Sequence, residues 1–197
     1  MRIEMAIAIA TAAVLTASAA RVDAEAPAVN GDESRLRATN AMGALEARFG
    51  VDAARHRVHV DYSIRNTSAA PLMVLDGGAA VAGKVDASGA APLAKLDGDA
   101  LTLTHAAMPL PKPAPTVPRV PLAARVEPGA THAAAFDAEL PAAAHRVRYC
   151  IGVAPFDEDA FTAMPGRPDV WRASFALAGT QATLCTEWFE VRGSGDH

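Results

Sequence analysis

The chain has 197 residues and a formal net charge of −4, a size that suits one domain with short extensions. Charge so near balance leaves no basic face for nucleic acid and no acidic block for a polyanionic tail. Hydrophobic residues make up 51% but aromatics only 5%, so the core must rest on Val, Leu, Ile and a few rings. At about 25 cal/mol per Å² of apolar surface buried, an alanine-rich core of this kind is modest.

The N-terminus reads as a secretory signal. Arg2 supplies a short positive region, and residues 5–16, MAIAIATAAVLT, form an uncharged apolar run. Small-residue cleavage options follow at Ala17-Ser18-Ala19 and at Val22-Asp23-Ala24. The run is too short to span a bilayer, and no later segment is long and apolar enough to do so. Residues 1–24 are therefore expected to be cleaved, and the mature protein to be periplasmic or secreted. Residues 25–43 are mostly small and polar and read as a flexible leader.

Residues 44–192 read as one all-β domain. Residues 45–51, LEARFGV, predict a first strand that pairs with the next one; a helix over 34–48 is the competing reading. Residues 57–65 alternate cleanly, with Val58, Val60, Tyr62 and Ile64 on one face and His59, Asp61, Ser63 and Arg65 on the other. That is the mark of a strand with one buried face. Asn66-Thr67-Ser68 make a turn, and a second apolar run, 72–75, follows Pro71 as a hairpin partner or as the next strand of a sandwich. Val81 and Val85 predict one weak edge strand.

Residues 101–105, LTLTH, alternate as a strand. The segment 108–121 then holds six prolines; proline lacks the ladder donor, so an extended crossing over the surface is expected. Residues 120–126, 131–140 and 146–153 are further strands. Residues 155–171 read as an acidic loop, 172–177 and 183–191 as a closing hairpin, and 193–197 as a loose end. About seven to nine antiparallel strands with Gly-, Pro- and Asp-rich turns point to an immunoglobulin-like β-sandwich.

Two stretches carry a resemblance. VDYSIRNTSAAPLMVLD and the later ARVEPGATHAAAFD resemble the bacterial Ig-like sandwich domains of the intracellular proteinase inhibitor (BsuPI-like) family. There a strand ends in Asn-Thr-x-x-x-Pro and a Pro-Gly turn starts a later strand. The resemblance implies an Ig-like fold; the export signal and the cysteine pair depart from an intracellular inhibitor.

Cys150 and Cys185, in an oxidising space, are expected to form a structural disulfide. Catalytic constellations are not visible: Ser194 lacks the strand-to-helix elbow of a hydrolase, and no phosphate-binding loop occurs. His56 and His59 fall on opposite faces of a strand. Asp157, Glu158, Asp159 and Asp169 lack calcium-loop spacing and read as a solvated loop. Tyr62, Trp171, Trp188 and Phe189 are the candidates for a carbohydrate or protein platform, against a core role.

The functional expectation is an exported, non-enzymatic sandwich with no cofactor. It binds another protein or envelope component through sheet edges, the proline-rich crossing or the 155–171 loop. The alternative is a small-ligand or metal module, concretely copper, with His105 and Met108 as ligands.

Overall fold

The structure, a computed structural model, describes residues 35–81, 84–86 and 91–191. The expected signal peptide, the leader up to residue 34 and the end at 193–197 lie outside the described residues. In chain order the strands are β1 (Arg35–Thr39), β2 (Gly43–Asp52), β3 (Arg57–Asn66), β4 (Leu72–Val74) and β5 (Ala79–Val81). Then come β6 (Lys84–Asp86), β7 (Leu93–Asp97), β8 (Ala100–His105), β9 (Val120–Val126) and β10 (Thr131–Glu139). The last are β11 (Arg146–Pro155), β12 (Phe161–Met164), β13 (Arg167–Ala173), β14 (Ala182–Cys185) and β15 (Phe189–Glu190). A 3-10 helix spans Phe175–Gly179. No helix among the described residues is long and apolar enough to cross a membrane.

One sheet has the order β1-β2-β3-β10. The alternation in β3 aligns its apolar side with that of β2, where Leu45, Ala47 and Phe49 face Ile64, Tyr62 and Val60 in register. The larger sheet is organised on β11. Val153 pairs with Val74 on one edge and Ala182 on the other, and Cys150 lies between Thr104 and Cys185. β8 and β4 therefore follow one another along the same edge of β11, and β14 and β15 take the opposite edge. Beyond this fork one branch runs β8-β7 and the other β4-β9-β13-β12.

Side chains from both sheets form one buried cluster, including Val58, Val60, Tyr62, Leu101, Leu103, Tyr149 and Ile151. The described chain is all-β, consistent with a sandwich. A second buried cluster lies on the far face of the larger sheet, where Met73, Ala123 and Ala154 are covered by Phe161 and Leu177.

Several expectations are corrected. Residues 35–39, assigned to the leader, form edge strand β1, because Leu36 and Ala38 alternate onto the core while Arg35 and Arg37 meet Glu46. Of the two readings of the run at 72–75, the hairpin with β3 is not formed; it is the next strand of the other sheet, against β9 and β11. The weak edge at 81–85 is two short strands, and β7 is additional.

The acidic loop at 155–171 contains β12 and most of β13, paired through Phe161–Ala173. The closing hairpin is absent among the described residues: 175–179 is helical, and β14 and β15 both pair with β11. Short strands raise the total among the described residues to fifteen. The pairing of β8 with β11 is parallel where antiparallel was expected.

Candidate functional site

Alternation places four polar side chains on core-facing positions of separate strands, and a loop adds a fifth. His105 continues the inward row of Leu101 and Leu103. Tyr149 lies opposite Leu103, and Tyr62 lies between Val60 and Ile64 on β3. His132 faces Ile64 from β10. Asp76 enters from the loop after β4. Together they make a hydrogen-bonded chain through the interior.

The Asp76 Oδ2 accepts from the Tyr62 hydroxyl and from His132 Nε2, the latter at 2.6 Å. The Tyr149 hydroxyl meets that of Tyr62, and His105 Nδ1 lies 2.8 Å from the Tyr149 oxygen. Tyr62 gives its one proton to Asp76, and a hydrogen bond that raises the pKa of Tyr149 and lowers that of Tyr62 has Tyr149 as its donor. His105 is then the donor to Tyr149, through Nδ1–H.

Burial holds both tyrosines in the phenol form. The pKa values of Tyr62 and Tyr149 are raised first by desolvation, then by neighbouring charge or phenol oxygens. His132 is raised by its hydrogen bond to Asp76, against an opposing effect of burial. It is therefore poised to carry the proton of the pair. Rings pack around the chain, with Phe136 and His105 edge-on at 5.0 Å and the Tyr62 and Tyr149 centroids 4.8 Å apart.

Two cavities flank His105. One, of about 310 Å³, opens between the sheets at β10 and is lined by Tyr62, Asp76, His132, Phe136, Arg167 and Asp169 among others. The larger, about 470 Å³, fills the fork between the β8-β7 and β4-β9 branches. Its walls are mostly apolar, with Leu75, Leu93, Met108, Leu110, Phe175 and four prolines of the crossing beside Thr104, His105 and Arg119. The side chain of Gln181 holds the start of that crossing, bonding both the N–H and the carbonyl of Ala107.

His105 and Met108 thus share one cavity wall, but in different settings: His105 is buried and bonded to Tyr149, whereas Met108 is 48% exposed. Among the described residues no three His, Cys, Asp or Glu side chains converge to hold a metal ion. Cys150 and Cys185 are directly opposed on β11 and β14 and form a disulfide. His56 and His59 lie apart from the chain, on an exposed turn and on the wet face of β3, where His59 contacts Asp137 and Asp61.

The acids of the 155–171 segment separate, Asp157 capping the backbone of Asp159 while Asp169 reaches the smaller cavity. Of the aromatic platform candidates, Tyr62 is core. Phe189 stacks on Phe49. Arg125 covers Trp171, and Arg146 and Arg148 both lie over Trp188. Sequence reasoning missed Asp76, His132 and Tyr149. The available signal was parity: each histidine or tyrosine occupies an otherwise apolar row.

Comparison of the chain with family models, curated proteins and solved structures gives no match.

Proposed function

We propose that this chain is an exported, non-enzymatic binding protein of the periplasm or extracellular space. It is read as an Ig-like sandwich that grips an extended segment of another protein or envelope component along β7 and the proline-rich crossing. One observation carries the reading. The large hydrophobic side chains exposed among the described residues are Leu93, Leu96, Met108, Leu110 and Val117. Two lie on β7 and three on the crossing that follows β8, and three of the five line the cavity in the fork. Clustered apolar exposure marks a contact surface rather than incidental scatter.

The fold explains the exposure. β7 ends its branch, and no described strand pairs with its second edge. Leu96 pairs with Leu101 in register and so shares its face of the sheet, yet remains 40% exposed. An extended segment added to this edge gains main-chain hydrogen bonds, with Leu93 and Leu96 offering contacts on alternate faces. The six prolines of the crossing restrict its backbone, which lowers the ordering cost of binding.

The Ig-like reading is supported by the meeting of the two stretches that carry the resemblance. The Asn66 backbone bonds to Gly129 and Ala130, and its buried amide donates to the Val126 carbonyl. The disulfide suits an oxidising compartment. The test is retention of a defined protein from periplasmic extract on the immobilised chain. Wild type and Arg37→Ser should retain it equally, and Leu93→Ser/Leu96→Ser/Leu110→Ser should lose it. Equal retention by all three, or none by wild type, contradicts the reading.

The copper alternative draws support only from the wall shared by His105 and Met108. Stoichiometric copper in the purified protein, lost in Met108→Leu, would favour it over partner binding.

A further inference from the structure

The sheets do not close on one another along β10. Ala134 faces the core row through its pairing with Tyr62, yet it is exposed. Small side chains, Ala124 and Ala134 among them, leave the cavity of about 310 Å³ unfilled beside the core. That volume lies at the small end of the roughly 300–1,000 Å³ typical of small-molecule sites.

Its polar lining divides by hydrogen-bond state. Tyr62 and Asp76 are committed to one another, and the Asp76 side chain is only 5% exposed. His132 bonds through Nε2 alone, leaving its Nδ1 edge without a protein partner among the described residues; its side chain is 27% exposed. Arg167 and Asp169, two residues apart on β13, line the same cavity and make no ion pair among the described residues.

We propose that this cavity is a binding site for a small organic carboxylate, held by the Arg167 guanidinium and the Nδ1–H of His132, with its apolar body against Phe136 and Val170. The planar fork of an arginine matches a carboxylate in two parallel hydrogen bonds. Asp76 fixes the imidazole by holding its other nitrogen, so the donor is oriented before the ligand arrives. A cationic ligand meets both the guanidinium and the imidazolium and finds, among the described residues lining the cavity, only the Asp169 carboxylate uncommitted; a bare inorganic anion leaves the apolar half of the cavity unfilled. The size and the ring-lined floor suit an acid bearing one ring.

Benzoate is the probe, titrated into the purified, isotope-labelled protein and followed by NMR, with benzylamine and acetate as comparators. Benzoate should saturate, shifting resonances of His132, Phe136 and Val170, while benzylamine leaves them unmoved and acetate binds more weakly. Arg167→Gln, at an exposed position where folding is not at stake, should weaken benzoate roughly tenfold or more. His132→Gln, with its fold verified by circular dichroism, should weaken it as well. Affinity should fall as pH rises through the elevated pKa of His132, whose facing groups are Asp76, Tyr62, His105, Arg167 and Asp169. Absence of saturation, equal affinity in Arg167→Gln, or equally tight benzylamine binding overturns the proposal.

Discussion

His132 Nε2 lies 2.6 Å from the Asp76 Oδ2, and this contact joins β10 of the four-stranded sheet to the loop after β4 of the larger one. The same oxygen accepts the Tyr62 hydroxyl, so a single carboxylate ties together three elements, two of them 56 positions apart.

The pair gives stability a defined pH dependence. The folded pKa of His132 is raised above the ordinary 6.5. Its contribution is therefore full below 6.5 and is lost as pH rises through the folded value. His132→Gln should cost about 1–3 kcal/mol where the histidine is protonated. In denaturant melts, the gap between wild type and variant should narrow as pH is raised. A gap that widens with pH contradicts the assignment. His59, also raised, chiefly by its hydrogen bond to Asp137, sits on the wet face, so His59→Ala should change stability little.

The direction of the buried chain predicts a tautomer. His105 should carry its proton on Nδ1, readable from imidazole nitrogen shifts, and Tyr149→Phe should remove that constraint. The same substitution leaves His105 without its acceptor and Tyr62 without its donor, costing about 1–3 kcal/mol in chemical denaturation. A proton found on Nε2 alone would reverse the chain as drawn.

The disulfide between Cys150 and Cys185 spans 35 positions. Replacing both cysteines by serine should lower unfolding free energy by about 3–4 kcal/mol, as loop closure predicts. Thiol titration of the native protein checks the premise and should find none free; two free thiols would remove it.

Gly152 lies close against the Gln181 clamp and Ala106. A Cβ there would meet the Gln181 amide oxygen and come within 3.2 Å of Ala106. Gly152→Ala should therefore displace the clamp on Ala107 and cost about 1–3 kcal/mol by overpacking. Faster hydrogen exchange at the Ala107 amide is the accompanying sign, and unchanged exchange would mean that the clamp tolerates the methyl.

Much of the fold was legible because one-sided burial writes itself as alternation. The rows at 57–65, 101–105 and 146–153 became β3, β8 and β11. What stayed hidden depends on neighbours. β1 carries only Leu36 and Ala38 toward the core, and β12 and β13 draw much of their burial from pairing and from the 3-10 helix. The parallel partnership of β8 and β11 leaves no local trace. The Asp76–His132 contact spans 56 positions, and a carboxylate after Leu75 reads as a turn residue until the second sheet is laid over it. Asn66 was legible as a turn, yet not as a buried knot to Val126.

β7 and the proline-rich crossing are the proposed partner surface, and site-specific photo-crosslinking in the full-length protein tests this most directly. A photoreactive side chain at Leu96 or Leu110 should give one adduct of defined mass, and the same group at Arg37, on the outer face of β1, should give none. Adducts at Arg37 alone, or identical adducts at all three positions, would contradict the account.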